Sequence, residues 1–278
     1  MESGLLFIDK KEGVTSRYVD NRLQRLFHTP KVGHLGTLDP FATGLLIVAV
    51  GASTKYLPFL PDEEKTYQAV LHLGVATDTG DLTGTKTIEK PVGDLSLEAV
   101  KEALSSFRGD STQIPPMTSA IKKDGTPLYR LAHQGKEIER EPRPIHIEEI
   151  RLLCFDGKDL RFEATVSKGT YVRVLGEDIA ARLGTVGHLM ELRRIRIGAL
   201  TLEGAIDVEE ADASSLRDPA AYVPYPRVEL QGEQIKKARN GVALSFELDA
   251  PRLLLTREGQ AIAIYEKEGE AYRCLRGL

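Results

Sequence analysis

The sequence is poor in cysteine, contains no tryptophan and has no long apolar run. Its two cysteines, Cys154 and Cys274, are far apart and lack C-x-x-C spacing, which argues against a disulfide framework and against a zinc site. No apolar run reaches the roughly 18 residues that a membrane helix needs. The N-terminal stretch is too short and too acidic for a signal peptide. We therefore expect a globular, cytoplasmic protein that does not associate with membranes.

Metal-binding patterns are also missing. The six histidines show no H-E-x-x-H spacing and have no cysteine partners, so a catalytic metal has no visible ligand set. Nucleotide-binding motifs are missing as well. We therefore expect chemistry that needs neither a metal nor a cofactor.

The net charge of −4 argues mildly against a nucleic-acid partner, because phosphate contacts need a basic surface. The charge is unevenly distributed, however. Between Lys10 and Lys31 six residues are basic and two are acidic, and the stretch "MELRRIRIG" adds Arg193, Arg194 and Arg196. Because charge acts locally, an acidic protein of this kind can still have a basic face.

The alternation of apolar segments predicts strand pairs that are interrupted by helices. The predicted strands of the larger part are "GLLFID", "LLIVAVG", "KTYQAVLHLG", "HIEEIRLLCF" and "LRFEATVS". Helices are predicted after an N-cap at Thr15 or Ser16, after a second N-cap at Ser96, and around "RVLGEDIAARLG". We expect a polar loop at "VATDTGDLTGT" and a helix or turn before "LRRIRIGAL". This order favours an α+β fold with a mixed, mainly antiparallel central sheet and flanking helices.

Two segments interrupt this pattern. Residues 111–146 are rich in proline, glycine and charge and are longer than a simple connection, which is typical of functional loops. The prolines of "RDPAAYVPYPRVEL" indicate a boundary near residue 225. We predict a larger domain over residues 1–225 and a small β-rich module over residues 226–278. In the module we expect a short helix at "GEQIKKARNG" and three strands joined by Glu-Gly turns.

The stretch "KVGHLGTLDPFATGLLIVAVG", residues 31–51, places Asp39 before a proline and an apolar run. Asp at an N-cap followed by Pro is a favoured helix start, so Asp39 is a candidate helix cap. Only three residues separate Pro40 from Gly44, which leaves little room for a helix. An aspartate in a glycine-flanked loop at the mouth of a buried strand is also typical of a functional site.

The sequence around Asp39, "GHLGTLDPFATGLLIVAVGASTK", closely resembles the signature of the TruB family of tRNA pseudouridine synthases. Further stretches resemble family motifs in the family's order: "GLLFIDKKEGVTS", "KTYQAVLHLGVATDTGDLTG", "QIPPMTSAIKKDGTPLYRLAHQG", "VSKGTYVRVLGEDIAARLG" and "LRRIRIG". The resemblance covers about residues 4–200. It implies the pseudouridine synthase fold, an RNA-contacting insertion at about residues 111–146, tRNA as the partner and, as the family's usual state, a monomer.

The resemblance also implies a reaction, the isomerisation of uridine 55 in the T loop of tRNA to pseudouridine. The ribose bond moves from N1 to C5 of the base, which needs a nucleophile and proton transfers but no cofactor. By resemblance Asp39 is the nucleophile, and a carboxylate suits this role because it can add covalently and then leave. Attack at C6 of the base and attack at C1′ of the sugar both remain open.

Five further residues occupy family positions. Arg173 matches the arginine that pairs with the aspartate, where a guanidinium would keep the carboxylate ionised and oriented. Tyr67 matches the active-site tyrosine, whose ring can stack on the uracil. His34 matches the histidine that takes the place of the flipped base. Tyr171 and Leu192 match residues that contact the flipped uridine.

Each of these residues also has an ordinary explanation without the resemblance. A lone arginine usually makes a surface ion pair, and a tyrosine or leucine on a strand usually packs in the core. A lone histidine in a loop is usually solvated. Two positions depart from the family pattern: Lys11 stands where the family usually has proline, and Thr118 stands where an aromatic residue is common. The C-terminal module resembles a PUA-type RNA-binding module through "KKARNG" and its hairpin.

Two other functions stay open at this point. The chain could be a protein of the same fold that has lost catalysis and acts only as an RNA-folding clamp, although Asp39, Tyr67 and Arg173 are all present. It could also be a phosphohydrolase that uses Asp39 as nucleophile and the acidic "DTGD" loop to bind magnesium. A lone D-x-x-D is a weak metal signal, and no second carboxylate adjoins Asp39.

Overall fold

The computed structural model describes residues 2–119, 121–123 and 125–278. Over these residues the strands are, in chain order, β1 (Gly4–Lys10), β2 (Val32–Leu35), β3 (Thr43–Val50), β4 (Glu64–Leu73), β5 (Val75–Thr77), β6 (Lys86–Glu89), β7 (Gly109–Gln113), β8 (Lys122–Lys123), β9 (Thr126–Pro127), β10 (Arg143–Phe155), β11 (Asp159–Ser167), β12 (Gly187–Ile197), β13 (Leu200–Thr201), β14 (Arg227–Glu229), β15 (Arg252–Arg257), β16 (Gln260–Glu268) and β17 (Ala271–Gly277). The helices are α1 (Ser16–Leu26), α2 (Leu97–Ser105), α3 (Leu128–His133), α4 (Val172–Arg182) and α5 (Glu233–Arg239).

A nine-stranded sheet forms the centre of the molecule. Its path runs β1-β3-β12-β4-β11-β10-β7, with β2 paired to β3 and β13 paired to β12. The pairings are antiparallel except that of β12 with β3, which is parallel and extends over only two residue pairs, Arg193 with Thr43 and Arg194 with Gly44. The predicted α+β class with a mixed, mainly antiparallel sheet is therefore confirmed.

The helices pack on this sheet through the stripes that the sequence predicted. Thr15 caps α1 by accepting a hydrogen bond from the backbone N–H of Tyr18, and Ser96 caps α2 in the same way. The apolar side of α1 packs against β1 and β3. The buried residues of α2 and α4 join a second cluster with β4, β10, β11 and β12.

One predicted element was wrong, and the start of another differs from the prediction. The helix or turn expected before "LRRIRIGAL" is part of β12, which continues from Gly187 as a long strand between β3 and β4 in the sheet. Two register shifts, between Leu189 and Glu191 and between Arg194 and Arg196, break the regular alternation that marks a strand in sequence. The polar loop expected at "VATDTGDLTGT" is confirmed over residues 78–85, which connect β5 to β6, while its first residues form β5.

A separate four-stranded sheet, in the order β14-β15-β16-β17, follows the larger sheet together with α5. The predicted Glu-Gly turns are present, since Glu258 and Gly259 both adopt positive φ between β15 and β16. Leu254 and Ile264 of this sheet share one apolar cluster with Tyr56 and Phe59, which lie in the 3₁₀ segment Gly51–Phe59. The division at residue 225 remains a prediction.

The long segment predicted at residues 111–146 is bracketed by β7 and β10. Between these strands lie residues 114–142, called the insertion below, which contain β8, β9 and α3. Leu128 is buried, while Ala120 and Asp124 lie outside the described residues. None of the helices described is both long enough and apolar enough to cross a membrane.

Candidate active site

Asp39 lies in the aspartate loop (residues 36–44), which connects β2 to β3 and includes the first two residues of β3. The Asp39 carbonyl accepts a hydrogen bond from the N–H of Ala42 at 3.1 Å, and β3 begins at Thr43. The chain therefore turns directly into a strand, and the interpretation of Asp39 as a helix cap is wrong. The Asp39 side chain keeps 35% of its surface exposed, so a substrate can reach its carboxylate.

The Asp39 carboxylate pairs with Arg173, in the first turn of α4. Arg173 Nε donates to Asp39 Oδ2 at 2.9 Å. Its Nη1 donates to the carbonyl of Thr79 at 2.7 Å and to the hydroxyl of Thr118 at 2.6 Å, and its Nη2 donates to the Thr118 carbonyl at 2.9 Å. The guanidinium is 3% exposed. These contacts hold it in one orientation and fix the carboxylate in turn.

The environment of Asp39 acts on its charge in two directions. Burial raises the pKa of Asp39 above its usual value, while the Arg173 guanidinium opposes that rise. Asp81 raises the pKa of Asp39 further, and its Oδ2 lies 3.8 Å from Arg173 Nε. A carboxylate that loses hydration but keeps a cationic partner is the environment expected for a tuned nucleophile.

Asp81 was not singled out from the sequence as an active-site residue, although it belongs to the "DTGD" stretch. Its Oδ1 accepts hydrogen bonds from the hydroxyls of Thr79 and Thr83 and from the N–H of Thr83, at 2.6–2.9 Å. Among the residues described, no group of three metal-binding side chains is found. The position of Asp81 beside a guanidinium indicates a role in orienting Arg173.

Two buried side chains, Ser16 and Lys10, form hydrogen bonds with the backbone of the aspartate loop. Ser16 Oγ donates to the Leu38 carbonyl at 3.0 Å and accepts from the Leu38 N–H at 2.9 Å. Lys10 Nζ donates to the carbonyls of Val14 and Pro40 at 2.7 and 3.2 Å. Burial lowers the pKa of Lys10 to about 8, an effect that Asp39 opposes. Lys10 was counted as part of a basic face, but it is 1% exposed and lies inside the protein.

His34 lies on β2, just before the loop, and points to Asp20 of α1. Its Nδ1 is 2.9 Å from Asp20 Oδ2, and its Nε2 is 3.1 Å from the hydroxyl of Thr37. Asp20 is buried. A buried carboxylate below one ring nitrogen fixes the plane of the imidazole at the entrance of the loop.

The three remaining candidates lie on neighbouring elements. Tyr67 on β4 and Leu192 on β12 are buried in the same apolar cluster as Leu38 and Phe41, which flank Asp39 in sequence. Tyr171 precedes α4, and its backbone N–H and C=O pair with the side-chain amide of Gln113 at 2.8 and 3.1 Å. Burial raises the pKa of Tyr171. Arg173 thus contacts Asp39 directly. Tyr67 and Leu192 pack with residues next to Asp39 in sequence, whereas His34 contacts Asp20 and Thr37.

Solved structures show which fold this is. A Cbf5-Nop10-Gar1 complex contains a chain that matches with a TM-score of 0.74 at 22% identity, covering 99% of this chain and 84% of that chain. An archaeal box H/ACA sRNP Nop10-Cbf5 complex matches with a TM-score of 0.72 at 21% identity, covering 99% of this chain and 85% of that chain. The fold is that of the pseudouridine synthases.

Sequence relatives are closer. A tRNA pseudouridine synthase B of Hydrogenovibrio crunogenus is 48% identical over 75% of this chain and 69% of its own length. One from Dechloromonas aromatica is 42% identical over 95% of this chain and 91% of its own length. The model of the TruB family pseudouridylate synthase N-terminal domain matches residues 24–172. The chain belongs to the TruB family of pseudouridylate synthases and is an enzyme of the isomerase class.

Proposed function

We propose that this enzyme converts uridine 55 in the T loop of tRNA to pseudouridine, with Asp39 as the nucleophile. The Asp39–Arg173 pair carries the proposal, because a partly exposed carboxylate held by a buried guanidinium suits covalent addition to a flipped base. The relatives named tRNA pseudouridine synthase B support tRNA as the substrate.

The reaction balances without a cofactor. The Asp39 carboxylate adds to C6 of the base or to C1′ of the sugar, and the bond between C1′ and N1 breaks. The base turns, C1′ bonds to C5, the hydrogen on C5 leaves as a proton, and N1 gains a proton. A carboxylate bonded to C1′ is released as C5 bonds to C1′, whereas a carboxylate bonded to C6 is released as C5 loses its proton. Each step needs only a nucleophile and proton transfer.

The surrounding residues prepare the base for this reaction. Arg173 keeps the Asp39 carboxylate ionised and oriented. The target uridine must leave its stack, and His34 takes the place of the expelled base. Tyr67 stacks on the uracil and its hydroxyl assists proton transfer, while Tyr171 and Leu192 form the polar and apolar walls of the pocket.

RNA recognition is assigned to two other parts of the chain. Among the side chains that the structure describes in the insertion, Lys122, Arg130 and Lys136 are basic and exposed, which suits them to phosphate contacts. The module of residues 226–278 has a basic helix, α5, and contributes binding and not chemistry, since every proposed catalytic residue lies in residues 1–225. The proposed state is a monomer, which light scattering during size-exclusion chromatography tests.

Tritium release tests the proposed function. tRNA labelled at C5 of its uridines loses tritium to water when C1′ bonds to C5. The parent protein should release tritium from a labelled T-loop substrate. It should release none from the same substrate when uridine 55 is replaced by another nucleotide. An RNA-folding clamp without catalysis would bind this tRNA and release no tritium.

A further inference from the structure

Arg194 of β12 is fully buried, with no exposed surface. The sequence placed it on a basic face, but RNA cannot reach it. Among the described residues, no carboxylate lies within 4.0 Å of its guanidinium, and its Nη1 is a buried atom without a hydrogen-bond partner. An unpaired buried charge is costly, and an apolar side chain would be cheaper. The position of Arg194 therefore needs an explanation other than stability.

The two remaining donors of Arg194 hold the two sides of the aspartate loop. Nε donates to the Leu45 carbonyl at 2.8 Å, and Nη2 donates to the Gly36 carbonyl at 2.8 Å. Gly36 precedes Asp39 in the loop and Leu45 directly follows the loop. The parallel pairing of β12 with β3 ends at Arg194 and Gly44. Between that point and the pairing of β2 with β3, which begins at Leu35 and Ile47, the guanidinium supplies the donor for the Leu45 carbonyl.

The loop also lies directly on Arg194. Gly44 has φ +97°, and a Cβ there would lie 2.2 Å from the Arg194 carbonyl. Gly36 has φ +67°, and a Cβ there would lie 3.1 Å from Lys65 Cε and 3.4 Å from Arg194 Nη1. The backbone carbonyl of Arg194 excludes a side chain at Gly44, and the positive φ disfavours one at Gly36, so the loop packs closely around Arg194.

We propose that Arg194 is a positioning residue, whose planar guanidinium holds both ends of the aspartate loop so that the Asp39 carboxylate stays at Arg173. This inference rests on the proposed role of Asp39 as nucleophile. Arginine suits the task because its donors form a rigid fork, whereas the single nitrogen of a lysine cannot keep both contacts in the same geometry.

Arg194→Lys tests the inference, because it keeps the charge and removes the fork. We expect the single-turnover rate of tritium release at saturating enzyme to fall about 10- to 100-fold, as for a small misplacement of a reacting group. The Kd for tRNA should stay within about threefold, or about 0.65 kcal/mol. Hydrogen exchange at the amides of Leu38 and Ala42 should become faster. Leu104→Ala, a buried substitution on α2, is the control for a general loss of stability. The folded Leu104→Ala protein should release tritium at the same single-turnover rate as the parent.

Gly36→Ala is the second variant, since it disturbs the same contact from the loop side while Arg194 is kept. It should show the same loss of rate with retained binding. A parental rate in either variant, measured at a temperature where circular dichroism shows it folded, overturns the inference. Failure of both variants to fold also overturns it, because the role would then be one of stability alone. If the parent releases no tritium, the proposed function fails, and hydrogen exchange still shows whether Arg194 holds the loop.

Discussion

The aspartate loop and the insertion meet at Arg173, yet the protein holds them very differently. The backbone of the loop accepts hydrogen bonds from buried side chains, Ser16 and Lys10 among them. The insertion reaches the site through Thr118 but exposes most of its charged side chains. Under the proposed function, this difference fits a reaction that requires a preorganised carboxylate and RNA binding that tolerates an adaptable surface. Changes in the loop should therefore affect rate, and changes in the insertion should affect binding.

The largest effect is expected for Asp39→Asn. The amide keeps the shape of the side chain but has far lower nucleophilicity, so tritium release should be abolished. Binding of tRNA should stay within about tenfold, or about 1.4 kcal/mol. Asp94→Asn, a surface change outside the loop, is the matched control. Multiple turnover by carefully purified Asp39→Asn protein would refute the assignment of the nucleophile.

Asp39→Asn should also change how the stability of the protein depends on pH. Because burial raises the pKa of Asp39, the folded protein binds its proton more tightly than the unfolded chain does. The ionised carboxylate therefore costs stability at neutral pH, and that cost disappears as the pH falls through the raised pKa. Asp39→Asn should be at least as stable as the parent at pH 7, with the difference shrinking in acid. Thermal unfolding of both proteins at a series of pH values measures this difference in stability.

Arg173 should have the second largest effect. Arg173→Lys keeps a charge but not the fork, and single-turnover rates should fall about 100-fold. In the parent, the rate should be lost as the pH falls through an Asp39 pKa above the usual 3.8. Arg173→Gln removes the positive charge that opposes the rise in the pKa of Asp39. The acid side of its pH–rate profile should therefore lie at higher pH than that of Arg173→Lys. Identical acid sides of the pH–rate profiles of the two variants would contradict the pairing of Arg173 with Asp39.

A smaller loss is expected for His34→Ala. If the ring replaces the flipped base, the loss of one stacking contact should slow single-turnover release about tenfold. Asp20→Asn should have a weaker effect in the same direction, because the imidazole loses only its carboxylate partner. His146→Ala, on β10 between Asp110 and Glu148, is the matched control. Unchanged kinetics in His34→Ala would make this residue a bystander.

The smallest effect on rate belongs to the insertion. Replacing Lys122, Arg130 and Lys136 by Gln should weaken tRNA binding and reduce the slope of log Kd against log salt by about 1 for each lost phosphate contact. The single-turnover rate at saturating enzyme should not change. Lys136→Gln alone can be compared with Lys101→Gln on α2. Equal binding by these two proteins would show that Lys136 makes no phosphate contact.

The sequence predicted the fold class and the elements whose signals are local. N-caps at Thr15 and Ser96 and the Glu-Gly turn after β15 depend on neighbouring residues, and the structure contains them. β12 was missed because two register shifts, at Leu189/Glu191 and Arg194/Arg196, interrupt its alternation of buried and exposed residues. An irregular strand of this kind is hard to distinguish from a helix or turn in sequence.

The contacts around Asp39 were only partly predictable. The pairing of Arg173 with Asp39 followed from a family resemblance, since 133 residues lie between the two and no spacing rule connects them. Asp81 and Arg194 also lie in stretches that resemble family motifs, but nothing in the sequence assigned either residue a position near Asp39. A lone acidic or basic residue is normally exposed, and only three-dimensional packing brings these two beside Arg173 and the aspartate loop.

The apolar cluster that joins Leu254 and Ile264 to the 3₁₀ segment Gly51–Phe59 makes the two sheets thermodynamically dependent on each other. Separating them would expose buried side chains on both parts, so each part loses stability when the other unfolds. Unfolding should therefore be cooperative, with one calorimetric transition for the whole chain. A ligand that binds tightly to either sheet would raise the melting temperature of both.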